Sequence, residues 1–304
     1  MSGMSVKSWL SSIADRGREL LDLPVSTPQE PLTQLRAMCK DLVSQKGEAR
    51  GTAAAREVVR LWENLSKEDY LPFFQMMQND FSADRTKVTK AADAFAKDPS
   101  EANLAVLTQA SEPVRQELLR KINMAPGGTR AIVDMRETLI GLLKNNRDLE
   151  PLNADMQHLL TSWFNRGFLE LRHIDWDTSA AILEKLIRYE AVHEIQGWED
   201  LRRRLATDRK CFAFFHPAIP DDPLIFVEVA LVHGLADSVQ ALLAPEIDEK
   251  APETAKTAIF YSISNCQAGL KGISFGNFLI KQVVEELKRE FPQLKQFATL
   301  SPIP

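Results

Sequence analysis

The fold is decided by one stretch near the end of the sequence, which reads TAIFYSIS at 257–264, NCQAGLKGISF at 265–275 and GNFLIKQVVEELK at 276–288. The first segment is rich in β-branched and aromatic residues and therefore predicts a strand. The last segment carries apolar residues on one helical face, which predicts an amphipathic helix. Pro292 follows that helix and ends it. The glycine-bearing segment between them is then a loop that leads from a strand into a helix.

This loop has features that suit an anion. A helix start leaves amide N–H groups unpaired, and the helix dipole adds about half a positive charge there. Gly269, Gly272 and Gly276 would let an anion approach the backbone, and they allow left-handed dihedral angles. Lys271 adds a cation. The spacing matches neither a Walker A loop nor a GxGxxG fingerprint, and a βα turn with purely structural glycines fits it equally well.

The residues before this stretch divide into a helical part and a mixed part. From residue 5 to about residue 166 the apolar residues recur with helical period, and turn residues separate roughly seven or eight helices. The sequence therefore predicts an all-helical bundle domain over residues 1–167, followed by an α/β domain over residues 168–304.

The α/β character rests on short apolar segments bounded by turn residues. Segments 210–217 and 224–232 predict two strands of a hairpin, because a turn-rich connection joins them. A short helix is predicted over 237–243, and a third strand over 255–264.

Composition excludes several classes of protein. With 37 basic and 42 acidic side chains the net charge is −5, so no overall basic field attracts nucleic acid. The three cysteines form no CxxC pair, which argues against a disulfide framework and a zinc ribbon. The sequence has no apolar run of about 18 residues, and residues 1–23 predict an amphipathic helix rather than a signal peptide. We expect a cytoplasmic protein with neither nucleic acid nor membrane as a partner.

Several runs of residues resemble the signature region of the malonyl-coenzyme A decarboxylases. They are FYSIS at 260–264, the loop through Gly276, FLIK at 278–281 and LSPIP at 300–304. Looser similarity is found at MR 135–136, WFNRGFL 163–169, CFAF 211–214 and VAL 229–231. The resemblance therefore extends over essentially the whole chain.

The resemblance implies a fold, a reaction and a site. The family's helical domain is used in oligomerisation, so a homo-oligomer is expected, and its C-terminal domain has the fold of N-acetyltransferases. The reaction converts malonyl-coenzyme A into acetyl-coenzyme A and carbon dioxide. In this fold the coenzyme A pyrophosphate lies on the loop between a strand and the next helix, which here comprises Lys271, Gly272, Ile273, Ser274, Phe275, Gly276 and Asn277.

The resemblance also implies a catalytic pair. The family's catalytic serine stands in a Ser-Pro-Ile-Pro motif and is matched by Ser301. Its catalytic histidine comes from a later segment, which none of the five histidines of this chain matches. Because the sequence stops at Pro304, we expect that histidine and the rest of the acyltransferase sheet to lie in a continuation of the chain.

Loss of carbon dioxide from a malonyl thioester leaves an enolate, whose charge the thioester carbonyl takes up. The reaction therefore needs no metal and no electron-sink cofactor, because the substrate itself carries coenzyme A. Hydrogen-bond donors at the developing oxyanion are typically worth about 3–4 kcal/mol each. We expect Ser301 to orient the malonyl carboxylate and handle its proton, and the histidine to protonate the enolate.

Two other functions stay open, an acyl-coenzyme A-dependent N-acetyltransferase and a non-catalytic scaffold that binds coenzyme A or copies of itself. The run Arg202–Arg204 is a possible contact for the 3′-phosphate of coenzyme A, although such a run is more often a solvated helix face. Weaker alternatives are Cys266 as a nucleophile and metal binding by His173 with Asp175 or by His193 with Glu194.

Overall fold

The computed structural model describes residues 30–44, 47–273 and 276–300. In the described parts the chain forms two compact units, the first Met1–Ile132 with Leu142–Leu152 and the second Val133–Gly141 with Asn153–Pro304. The predicted domain boundary between residues 167 and 168 stays a prediction. The predicted helix over residues 1–23 lies outside the described residues, as do Ser301 and two residues of the predicted loop, Ser274 and Phe275.

The helical character predicted for the first part of the chain is confirmed. Two of its helices, α7 and α8, contribute residues to both units. The helices are α1 (Pro31–Ser44), α2 (Glu48–Glu63), α3 (Tyr70–Asp80), α4 (Arg85–Lys97), α5 (Glu101–Ser111), α6 (Val114–Asn123), α7 (Gly128–Leu143) and α8 (Glu150–Trp163).

Aromatic side chains fill the core of the first unit. Trp62 of α2 lies 5.2 Å from Phe73 and 5.8 Å from Phe74 of α3, measured between ring centroids. Both phenylalanines are fully buried, and such aromatic pairs stabilise a core beyond the area that they bury. Two helix starts carry capping side chains, with the Asp84 carboxylate accepting from two amides of α4 and the Ser100 hydroxyl accepting from one amide of α5.

The second unit holds a five-stranded mixed sheet in the order β1-β2-β3-β4-β5. The first three pairings are antiparallel, whereas β4 and β5 run parallel. In chain order the elements are β1 (Glu170–Ile174), α9 (Ala180–Tyr189), α10 (Trp198–Arg204), β2 (Arg209–Phe215), β3 (Ile225–Val232), α11 (Val239–Leu243), α12 (Ala251–Thr254), β4 (Thr257–Asn265), α13 (Gly276–Glu290) and β5 (Gln296–Thr299).

The strands β2, β3 and β4 and the helix α11 lie where the sequence predicts them, and the predicted β2–β3 hairpin is confirmed. The edge strands β1 and β5 were not predicted. The three inner strands are almost continuously buried, which explains why their sequences are apolar on both faces. Among the described helices, none is both long and apolar enough to cross a membrane.

Candidate functional site

The predicted strand–loop–helix unit is present and forms a parallel crossover. β4 ends at Asn265, a short 3-10 turn spans Ala268–Leu270, and α13 begins at Gly276 before the chain returns as β5. β4 and β5 are parallel neighbours, so their carboxyl ends lie at the same edge of the sheet. Ligands of α/β sheets commonly bind in the crevice outside the carboxyl ends of the strands. This edge is therefore the part of the sheet where the predicted loop can meet a ligand.

β4 has a β-bulge at its middle. Glu228 of β3 pairs with Ser262, whereas the next residue, Val229, pairs with Phe260, so Tyr261 is an extra residue in β4. The β4–β5 pairing stops at Phe260 and Thr299, and only the amide of Leu300 extends it, donating to the Phe260 carbonyl at 2.8 Å. Beyond the bulge, the described residues offer no ladder partner on the β5 side of β4. The described pairing of β4 with β5 therefore covers only the first half of β4.

A buried carboxylate fixes the second half of β4. Glu190, at the end of α9, accepts hydrogen bonds from the hydroxyls of Ser262 at 2.8 Å and Ser264 at 2.9 Å. It also accepts from the backbone N–H groups of Val192 and His193, at 2.9 and 2.7 Å. Four donors around one buried carboxylate compensate it for lost hydration. This cluster holds β4 in place beyond the bulge.

Gly269 packs closely against helix α7. An added Cβ at this residue would lie 2.0 Å from the carbonyl oxygen of Val133 in α7, so no side chain fits between the loop and that helix. Gly272 has a φ of +81°, a left-handed conformation that favours glycine. The two glycines thus shape the loop through different physical requirements, and the anion access predicted for them stays a prediction.

Two side chains from α7 and α8 fix the loop through its carbonyl groups. Arg136 Nη1 donates to the carbonyl of Gly269 at 2.7 Å, and Gln157 Nε2 donates to the carbonyl of Gly272 at 3.2 Å. Sequence reasoning missed both as site residues, although Arg136 lies on the apolar stripe of α7 between Ile132 and Leu139. A charged residue on a buried stripe is a signal that could have singled it out.

Two backbone amide groups in the first half of the loop already donate hydrogen bonds within the loop. Lys271 N–H donates to the Ala268 carbonyl at 3.1 Å, and Ile273 N–H donates to the Leu270 carbonyl at 3.0 Å. These two N–H groups therefore point away from a ligand on the loop, and the first turn of α13 is the larger source of free N–H groups. Gly276 and Asn277 begin that helix. Lys271 and Lys281 expose their side chains near this helix start.

The Arg202–Arg204 run does not form a single cationic surface. Arg203 pairs with Asp208 at 2.7 Å. Arg204 is buried and pairs with the buried carboxylate of Glu228 at 2.9 Å. Only Arg202 is exposed, and its guanidinium lies 4.9 Å from the ring centroid of Trp176. The hypothesis that all three arginines contact a 3′-phosphate is therefore wrong for Arg203 and Arg204.

The pair of Arg204 and Glu228 belongs to the interior of the second unit. Burial raises the pKa of the Glu228 carboxyl to about 8, while the neighbouring Arg204 guanidinium acts in the opposite direction. Removing one partner of such a pair leaves an uncompensated buried charge, which typically costs about 3–5 kcal/mol. The pair supports the sheet beside the bulge.

Cys266 lies at the start of the loop but is not activated as a nucleophile. Its side chain is buried, and burial together with the charge of Glu190 raises the pKa of its thiol. The thiolate is the nucleophilic form of cysteine, and it is scarce at neutral pH under these conditions. Of the suggested metal ligands, His173 Nδ1 lies 3.7 Å from Asp175 Oδ2. The backbone N–H of His193 donates to the carboxylate of Glu190.

Comparisons with known proteins agree on one family. A family model for the malonyl-CoA decarboxylase N-terminal domain matches residues 81–164, and one for the C-terminal domain matches residues 167–304. The crystal structure of malonyl-CoA decarboxylase from Rhodopseudomonas palustris has 49% identity and a TM-score of 0.85, covering 91% of this chain and 67% of its own. The Agrobacterium vitis structure has 52% identity and the same TM-score, covering 89% and 66% respectively.

Curated relatives are longer than this chain. The mitochondrial malonyl-CoA decarboxylase of Anser anser anser is 36% identical over 242 residues, which is 75% of this chain and 48% of the relative. The Mus musculus enzyme is 36% identical over 213 residues, covering 66% and 43% respectively. The chain thus spans about half the length of the curated relatives that it matches.

Proposed function

Because the chain belongs to the malonyl-CoA decarboxylase family, we propose that it binds malonyl-coenzyme A and takes part in its decarboxylation to acetyl-coenzyme A and carbon dioxide. The observation that carries the proposal is the loop between β4 and α13, which Arg136 and Gln157 fix at the carboxyl edge of the sheet. The family relation gives that loop a coenzyme A thioester as its ligand.

The coenzyme A pyrophosphate is proposed to lie on the segment from Lys271 to Asn277. The first turn of α13 supplies unpaired amide groups and the positive end of the helix dipole. Lys271 is exposed and adds a positive charge beside this segment. We further propose the fold of N-acetyltransferases for the sheet domain, with support from the antiparallel β1–β4 meander and the parallel β4–β5 crossover.

The proposed chemistry proceeds without a metal or a further cofactor. Ser301 holds the malonyl carboxylate so that its carbon–carbon bond breaks perpendicular to the thioester plane. The thioester oxygen then takes the negative charge, and a histidine from a later segment protonates the enolate carbon. Support for this assignment comes from chain order, since Ser301 follows Leu300, whose amide donates to the carbonyl of Phe260 beside the bulge of β4.

The helical unit is proposed to join copies of the chain into a homo-oligomer. Helix α5 has no buried residue, although its sequence is mostly apolar, and it exposes 41% of Leu104 and 55% of Val106. Exposed apolar side chains that the rest of the unit leaves uncovered are candidates for a protein contact. Size-exclusion chromatography with light scattering should show an oligomer that Leu104→Glu with Val106→Glu dissociates, whereas Thr89→Glu at an exposed residue of α4 leaves it intact. An unchanged mass for the double variant would contradict this interface.

Product analysis separates the proposed function from its two alternatives. The protein expressed from its complete reading frame is incubated with malonyl-coenzyme A, with and without added amines. We expect acetyl-coenzyme A to accumulate at the same rate in both reactions. Free coenzyme A that forms only with an amine would indicate an acyltransferase. A protein that binds coenzyme A in calorimetry but leaves the thioester unchanged would be a scaffold.

A further inference from the structure

Arg136 is a buried cation that is held by neutral groups. Only 2% of its surface is exposed. Its guanidinium donates to the Gly269 carbonyl at 2.7 Å, to Asn153 Oδ1 at 3.2 Å and to Gln157 Oε1 at 3.3 Å. Within the part of the chain that the structure describes, no carboxylate lies at ion-pair distance from it. These three contacts satisfy hydrogen-bonding groups but leave the positive charge uncompensated.

A buried charge without a counter-ion is unfavourable. Burying an ion costs several kcal/mol in typical proteins, so buried arginines usually face a carboxylate. Burial lowers the pKa of Arg136 from its usual value. An arginine nevertheless stays protonated in proteins, because its usual pKa lies far above neutral pH. The charge is therefore permanent, and the guanidinium that carries it donates to the Gly269 carbonyl of the loop.

Gln157 connects this charge to the second glycine of the loop. Its Oε1 accepts from Arg136, while its Nε2 donates to the Gly272 carbonyl at 3.2 Å. The amide orientation follows from the two partners, because only its NH₂ group can donate. Arg136 and Gln157 thus contact the carbonyl groups of Gly269 and Gly272 respectively, and neither side chain is negatively charged.

We propose that Arg136 is a positioning residue that supplies a buried positive charge to the coenzyme A loop, with the pyrophosphate of the bound thioester as its counter-ion. This inference rests on the proposed function and adds the residue that selects for a phosphate-bearing ligand. Arg136 acts through the loop carbonyls and through its field. In a low-dielectric interior that field reaches further than the field of a solvated lysine.

The structure offers a variant that neutralises the charge without removing the arginine. Gln157→Glu is nearly isosteric and places a carboxylate at the position that now accepts from Arg136. The bond from Gln157 to the Gly272 carbonyl is lost in that variant. Gln157→Met loses the same bond without adding a charge, so it serves as the matched control. Arg136→Lys keeps the charge, and Arg136→Met removes it.

Isothermal titration calorimetry with coenzyme A, and separately with inorganic pyrophosphate, measures the effect. We expect Gln157→Glu and Arg136→Met to raise Kd roughly tenfold, the size expected for one unit charge about 10 Å from an anion at an effective dielectric constant of about 20. Gln157→Met and Arg136→Lys lose hydrogen bonds that fix the loop but leave the charge in place, so each should raise Kd by less than its counterpart does. The ratio between Gln157→Glu and Gln157→Met should persist at about 0.15 M salt, because buried charges are screened weakly.

Equal affinities of Gln157→Glu and Gln157→Met for both ligands would overturn the inference, since the charge would then be irrelevant to binding. This test does not depend on Arg136→Met, which loses three hydrogen bonds and could fail to fold. If the unchanged protein binds neither coenzyme A nor pyrophosphate, the proposed function fails instead. If it binds both and only the charge effect is missing, the proposed function stands and the role of Arg136 falls.

Discussion

Replacing Ser301 by alanine is expected to lower kcat/KM for malonyl-coenzyme A decarboxylation by about 10²–10⁴-fold, the usual contribution of a positioned proton-transfer group. The hydroxyl is proposed to orient the carboxylate and to handle its proton, and alanine can do neither. The affinity for coenzyme A should change little, because the pyrophosphate is held by the loop that precedes α13. The loss should therefore fall mainly on kcat.

The control for this variant is an exposed serine outside the proposed site. Ser82 lies in the connection between α3 and α4, and Ser82→Ala removes a hydroxyl from the surface. We expect kcat/KM of Ser82→Ala to match that of the unchanged protein. If Ser301→Ala keeps near-normal turnover, the serine has no catalytic role, whatever its motif suggests.

Gly269→Ala is expected to destabilise the second unit by about 3 kcal/mol or more, at the upper end of the usual cost of overpacking. The added Cβ would lie 2.0 Å from the Val133 carbonyl oxygen. Neither atom can rotate away, because the Cβ is attached directly to the backbone and the oxygen belongs to it. The loop can relieve the overlap only by moving away from α7, which would break the 2.7 Å bond from Arg136 to Gly269. Weaker coenzyme A binding should accompany the loss of stability.

Gly141→Ala is the matched control, because Gly141 lies in α7, the helix that the loop at Gly269 contacts. Nothing lies within 4 Å of the Cβ that it would add. Alanine in a helix interior is more favourable than glycine by roughly 0.5–1 kcal/mol, so this variant should be slightly more stable. Urea unfolding followed by tryptophan fluorescence measures both changes. A Gly269→Ala protein as stable as the unchanged one would show that the loop is not tightly packed against α7.

The inner part of the sheet could be predicted because its strands are long and apolar. β2, β3 and β4 are buried on both faces, and their turn-rich connections mark the ends. β1 and β5 are edge strands of five and four residues with mostly half-buried or exposed side chains. Short, polar strands of this kind have no periodic signal, since only the neighbouring strand defines them.

The candidate site shows the same division between local and tertiary information. The order of strand, loop and helix is local, and the spacing of apolar residues predicts it. The reason for Gly269 is not local, because it depends on Val133 in a distant helix. Arg203 and Arg204 are neighbours in sequence, yet they pair with Asp208 and Glu228 respectively. Their partners could not be inferred from the run of charges.

The most direct test of the proposed reaction follows the carbon that leaves. Malonyl-coenzyme A labelled with ¹³C in its free carboxyl group is incubated with the protein expressed from its complete reading frame, without amine or added metal. Nuclear magnetic resonance should show one labelled carbon dioxide or bicarbonate for each acetyl-coenzyme A formed. Label that remains in malonyl-coenzyme A, or appears in free malonate, would contradict decarboxylation by this protein.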